Sequence, residues 1–291
     1  MAVYAVRHST VYTYEEPVSV CHNLAYLLPR SSPRHTWITS DLRILPTPPV
    51  LRERRDYFRN RPVFFVLQEP HKRLEITMTG TVDVEASEGV CHLPTTGWED
   101  IRDQLRNDPT REHLAAYQFA FESPYVRAHA DVNAYAGGSF LPGRPLVDAV
   151  LDLNHRIRAD FVFDPKATTI RTTPEELLKK RRGVCQDFAH LMIGCLRSVG
   201  LPARYVSGYL LTTPPPGQQR LAGADASHAW AGIYFPGAGW LDLDPTNDAV
   251  VSDKHITLAW GRDFGDVSPL RGVILGGGHH NVDVSVDVEE H

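Results

Sequence analysis

The stretch Arg181-Arg182-Gly183-Val184-Cys185-Gln186-Asp187-Phe188-Ala189-His190-Leu191-Met192 decides how this chain is read. Gly183 closes one helical pattern, and Cys185 stands where the next begins. Phe188, Ala189, Met192, Leu196 and Val199 then recur at steps of three and four residues, the stripe of an amphipathic helix. Gly200 and Pro202 stop it. A cysteine at a helix start lies beside unpaired N–H groups and the positive end of the macrodipole, and both favour a thiolate. A free thiol, with a pKa of about 8.5, is mostly protonated at neutral pH. A nucleophilic cysteine therefore needs such help, usually together with a histidine.

Working outward, Thr173-Pro174-Glu175-Glu176 is a helix start, with Thr173 as N-cap, Pro174 at the first position and Glu176 at the third. That helix ends at Lys179–Arg182, cations on its negative end, with Gly183 as the stop. Thr110–Phe121 and Arg144–Arg158 also carry helical periodicity. After Pro202 the period changes to strands at Ala203–Leu211, Ser227–Phe235 and Trp240–Leu243. Thr212–Ala226, with Pro214-Pro215-Pro216-Gly217, reads as a long loop. Val282, Val284, Val286 and Val288 alternate with polar residues as a last strand behind Gly276-Gly277-Gly278.

The first ninety or so residues read as β. Met1–Tyr14, Trp37–Leu45, Val63–Leu67 and Leu74–Val84 are strand-like, with prolines at 46, 48 and 49 and a charged turn at Arg52–Asp56 between them. We expect residues 1–90 to form a β-sandwich-like support domain and residues 91–291 a second domain with helices on an antiparallel sheet, an α+β class.

Three residues of the second domain could meet. Cys185 opens its helix, His228 begins one strand, and Asp244 ends the next. The turn Pro236-Gly237-Ala238-Gly239 joins those strands as a hairpin, which places His228 beside Asp244. Nucleophile, base and orienter are what thiol chemistry requires. Each has a plainer reading: a cysteine in an apolar helix is usually a small core residue, a histidine at a strand start is usually just satisfied, and Asp-Pro is a common turn. Cys195 is read as core. Trp230 is expected to line the cleft, although an indole there equally suits a core.

Metal and nucleotide readings find little. Cys185, His190 and Cys195 are spaced five apart and point different ways on a helix, and His279-His280 lacks nearby carboxylate or cysteine partners. Calcium-loop, Gly-x-Gly-x-x-Gly and Gly-Lys-Ser/Thr patterns are absent, so no metal and no cofactor is expected.

The motif set is similar to the bacterial transglutaminase-like superfamily. Arg182–His190 and Gly200–Tyr209 resemble its core, while Ala226–Trp230 and Gly239–Thr246 resemble its histidine and aspartate motifs in order. The likeness continues through Gly261-Arg262-Asp263-Phe264 and Asp266-Val267-Ser268-Pro269. Tyr4–Tyr14 with Pro17-Val18 resembles the β-domain that often precedes this core in bacteria. The resemblance implies a papain-like core and assigns Cys185, His228 and Asp244 as the triad. It implies acyl transfer on peptide or isopeptide amides of a protein or peptide substrate. The product is an acid in a protease or amidase and a new amide in a transglutaminase, and some relatives have lost catalysis and only bind. We favour hydrolysis, because the loop Thr212–Ala226 is poor in the large apolar residues that would seal a thioester from water. No motif places an oxyanion-hole side chain, which leaves the Cys185 N–H as the candidate donor.

Composition bounds the rest. The chain has 291 residues, 42% hydrophobic and 22% charged, ordinary values for a globular protein. A net charge of −5 argues against a general nucleic-acid binder. No apolar run approaches the ~18 residues of a spanning helix, and no leader precedes Tyr4, so neither membrane nor export is expected. The four cysteines show no CxxC spacing, which suits the cytoplasm. Oligomeric state leaves no sign in the sequence.

Overall fold

The computed structural model describes residues 2–212 and 226–291. Five strands come first: β1 (Ala2–Leu28), β2 (His35–Leu45), β3 (Val50–Glu53), β4 (Arg61–Leu67) and β5 (His71–Val84). Helices α1 (Trp98–Asn107), α2 (Arg111–Tyr117), α3 (Ala130–Gly137) and α4 (Leu146–Asp160) follow, then β6 (Val162–Phe163), α5 (Pro174–Lys180), β7 (Arg182–Gly183) and α6 (Cys185–Ser198). The chain continues through β8 (Ala203–Leu210), β9 (Ala226–Phe235), β10 (Gly239–Asp244), β11 (Ala249–Val250), β12 (His255–Gly261), α7 (Phe264–Val267), β13 (Leu270–Gly276) and β14 (His280–Glu290). No helix among the described residues is long and apolar enough to cross a membrane. The mixture is the α+β class expected.

The sandwich-like module takes the form of one curled antiparallel sheet wrapped on β1. The strand expected to end at Tyr14 runs on to Leu28. Its first half lies between β5 and β14, its second between β4 and β13. Registers slip between Thr13 and Val18, around Pro17, which has no N–H for a ladder. Part of the expected turn Arg52–Asp56 is strand β3, which pairs along β4. The division at residue 90 needs correcting at its far end: β13 and β14 return from the second half to complete the first sheet. The two halves also share apolar interior, since Tyr209, Ile256 and Leu258 pack among Tyr4, Phe65, Ile76 and Val288.

The second sheet has the order β11-β10-β9-β8-β12, all antiparallel, with α6 on it. The stripe on α6 underestimates its burial. Gln186 to Leu196 are buried without a break, because the sheet covers one side and α3, α4 and α5 the others. A helix apolar all round is a central helix. Cys185, at its first position, is half-buried, as are Arg197 and Ser198 at the far end.

Candidate active site

The lead-in to α6 is held by local bonds. Thr173 caps α5 by accepting from the Glu176 N–H at 3.4 Å, with Pro174 behind it. The left-handed residue that ends α5 is Arg181 (φ 55°), not Gly183. Gly183 serves proximity instead: a Cβ there would lie 2.7 Å from a Leu177 methyl and 2.8 Å from Asp187 Oδ2. That carboxylate oxygen accepts from the Val184 N–H at 2.8 Å and from the Thr168 hydroxyl at 2.7 Å. It thereby closes the N-terminus of α6, where negative charge also suits the helix dipole. Burial pushes the Asp187 pKa up. At the first helical position, the Cys185 N–H has no acceptor one turn back.

The structure brings Cys185, His228 and Asp244 together. Along the β9–β10 hairpin Leu243 faces Ala231, so Asp244, one step on, shares a face with His228 but sits diagonally from it. His228 Nε2 donates to Asp244 Oδ2 at 2.8 Å, and both side chains are buried. The other ring nitrogen, Nδ1, is left for the hydrogen bond with Cys185. Burial alone would lower the His228 pKa, but Asp244 and Cys185 overcome it and raise the value to about 10. Asp244 behaves conversely. Burial would raise its pKa, yet hydrogen bonds from His228 and His255 hold it well below the usual carboxylate range. An imidazolium at neutral pH is the partner a thiolate needs.

Two groups at Asp244 escape sequence reasoning. His255, from β12, donates through Nε2 to Oδ2 at 3.1 Å. Asn247 donates its side-chain amide to Oδ2 at 2.7 Å and its N–H to Oδ1 at 3.3 Å, beside the Thr246 N–H at 2.9 Å. Asn247 was within reach of the Asp-Pro-Thr-Asn turn, because an Asx turn bonds backbone two residues on. His255 carried no such sign. His228, Asp244 and His255 offer possible metal-ligand atoms within 4.8 Å of one another. Direct N···O contacts of 2.8 and 3.1 Å account for this grouping as hydrogen bonds.

Trp230 is corrected. It is fully buried among Val206, Val251 and Trp260, edge-on to His255 with ring centres 5.3 Å apart. Glycine at 208 makes room for it, since a Cβ there would lie 2.4 Å from the indole. It backs the site rather than lining a cleft. Cys195 is core as expected, and burial pushes its thiol pKa up. His190 is also core: its Nε2 accepts from the Phe264 N–H at 3.1 Å, and burial pushes its pKa down to about 3. The loop Thr212–Ala226 falls largely outside the described residues.

Residues 4–83 match the bacterial transglutaminase-like N-terminal region, and residues 138–245, which include all three site residues, match the transglutaminase-like superfamily. An uncharacterized protein of Mycobacterium tuberculosis is 42% identical over 98% of this chain and 92% of its own length. The chain belongs to the transglutaminase-like superfamily. Within it, a protein-glutamine gamma-glutamyltransferase of Pseudomonas aeruginosa is 31% identical, over 53% of this chain and 20% of that protein. A solved structure from Cytophaga hutchinsonii, named as a candidate cysteine protease, covers 100% of this chain and 91% of its own, with TM-score 0.78 and 20% identity. That likeness concerns the fold. His255, β13 and β14 lie beyond the matched region of the superfamily core.

Proposed function

We propose that this transglutaminase-like protein is a cysteine-dependent acyl-transfer enzyme acting on peptide or isopeptide amides, with hydrolysis as its main outcome. The observation that carries the reading is the buried His228–Asp244 pair, at 2.8 Å, set against a half-buried Cys185 at the first turn of α6. Cys185 sulfur attacks the amide carbonyl carbon while the carbonyl oxygen takes up negative charge beside the Cys185 N–H. His228 passes its proton to the departing amine nitrogen as the C–N bond breaks, leaving a thioester. Asp244 holds the imidazole in the orientation and tautomer both steps need. Water then attacks the thioester, His228 takes its proton, and the acid leaves. Four unpaired cysteines suit a reducing compartment for this thiol.

Transfer to an amine is the second reading, favoured by the likeness to the glutamyltransferase of Pseudomonas aeruginosa. It requires an amine to outcompete water at ~55 M, hence a site that binds amines and excludes solvent. A labelled casein-like protein, incubated with and without a millimolar lysine analogue, separates the two. We expect free acid or fragments to dominate in both arms. Dominant amide product with the amine would replace hydrolysis by transfer, and no product of either kind would end the enzymatic reading.

A further inference from the structure

We infer that His255 is a positioning residue for the Cys185–His228–Asp244 chemistry, and that the N-terminal sheet holds it in place through His35. The inference rests on the catalytic reading above and adds a fourth member to it, together with a task for the first sheet.

The argument begins at one oxygen. Asp244 Oδ2 receives His228 at 2.8 Å and His255 at 3.1 Å, both through Nε2. A carboxylate holding a single imidazole can swing about its terminal torsion. One anchored by a second imidazole on the same oxygen, with backbone N–H groups on the other, cannot swing without losing buried bonds. His255 is 5% exposed, and its Nδ1 finds no partner. The Nε2–H bond to Asp244 is therefore the polar contact its ring makes, and the proton must reside on Nε2. Trp230 closes the ring's flank edge-on. This gives the buried indole a purpose beyond filling the core: it fixes the plane of the imidazole that fixes Asp244.

The strand bearing His255 is in turn tied to the first sheet. His35, from β2, sets Nε2 3.0 Å from the His255 carbonyl and 3.2 Å from the Thr257 N–H, so that it donates to the first or accepts from the second according to its tautomer, and either bond ties the ring to β12. Its Nδ1 lies 2.7 Å from the Ser32 hydroxyl, which orients the ring. Farther along the same strand, the Arg30 N–H donates to the Leu258 carbonyl at 3.0 Å. His35 is 3% exposed, so these bonds are sheltered from water. The path from sheet to site is thus His35, the backbone of residues 255–257, the His255 ring, and Asp244.

Cys185 alkylation by iodoacetamide at neutral pH tests this without a known substrate. In the parent chain Cys185 should react faster than the exposed Cys91. Equal rates would reject the catalytic reading itself and take this inference with it. Given a reactive parent, His255→Phe should slow Cys185 by about tenfold to a hundredfold, the range for losing a hydrogen bond to a charged group. His255→Gln, which keeps a donor, should recover most of that rate, and a purely structural histidine would show no such recovery. His35→Ala should slow Cys185 in the same direction but less. Parent-like rates in His255→Phe overturn the inference, and parent-like rates in His35→Ala overturn its N-terminal half. Should His255→Phe not fold, imidazole nitrogen NMR on the unaltered chain decides: a His255 Nε2 that carries no proton is incompatible with the role.

Discussion

Asp242 and Asp244 stand two residues apart on one face of β10, and their surroundings put them to different uses. Asp242 pairs with Arg204 at 3.2 Å, both side chains nearly buried. The pair reaches across Gly232, where a Cβ would lie 2.6 Å from Asp242 Oδ1 and 2.7 Å from Arg204 Nε. The guanidinium is sandwiched by Trp240 and Trp260, 4.4 and 4.0 Å from the ring centres. Such a cation keeps its proton at any working pH and is fixed by stacking. Asp244 instead faces two imidazoles, a type of group that can give up and take back a proton where a guanidinium cannot. The carboxylates are chemically the same; the partner's pKa decides whether the pair can move a proton or only hold the sheet together.

Exchanging each carboxylate for its amide tests this contrast most strongly. Asp244→Asn should cut turnover by roughly a thousandfold or more while the chain stays folded, because the imidazole loses its anionic orienter. Asp242→Asn should leave turnover within about threefold of the parent but lower stability by about 3 kcal/mol, since it strands a buried guanidinium. Steady-state kinetics beside denaturant midpoints would read both. A large kinetic loss in Asp242→Asn would mean that the two stations are not separate.

The contrast extends to pH. His8, His35 and His190 are buried without a hydrogen bond to a carboxylate, and burial pushes their pKa values down to about 4, 4 and 3. The unfolded chain binds those protons from about pH 6.5 downward while the folded chain refuses them, so stability falls as pH drops. The expected slope is about 1.4 kcal/mol per pH unit for each histidine, down to its folded value. His228 has the opposite sign. Its folded pKa of about 10 lies above the free value, so its contribution is full below about pH 6.5 and fades as pH climbs towards 10. Urea midpoints measured from pH 4 to 10 should show an acid limb that His190→Phe makes shallower. Asp244→Asn should flatten the alkaline limb.

What the sequence revealed divides along similar lines. Cys185 at a helix start, Thr173 as a cap, and the hairpin joining His228 to Asp244 are local patterns, and the structure has each of them. The return of β14 to β1 pairs Tyr4 with Glu290, and no local pattern encodes that separation. Trp230 was misplaced because its burial depends on Gly208, on a neighbouring strand. His255 was missed for the same reason: it sits in an apolar strand, His255-Ile256-Thr257-Leu258-Ala259, whose contact with Asp244 comes from sheet curvature rather than spacing. The stripe on α6 marked the face on the sheet, but it could not show that three other helices cover the rest.

The smallest effect we expect is at Asn247, where the two stations can be compared for redundancy. Asp242 depends on one guanidinium, whereas Asp244 has His228, His255 and two backbone N–H groups besides the Asn247 amide at 2.7 Å. Asn247 is exposed, so water can replace its amide once the side chain is cut back. Asn247→Ala should therefore cost about 1 kcal/mol in the acyl-transfer barrier, roughly fivefold in kcat, with KM and the denaturant midpoint nearly unchanged. The backbone bonds from residues 246 and 247 survive the substitution and keep the carboxylate in place. A loss as large as that of Asp244→Asn would show that the exposed amide, rather than the buried donors, sets the carboxylate's orientation, and the over-determined network described here would have to be abandoned.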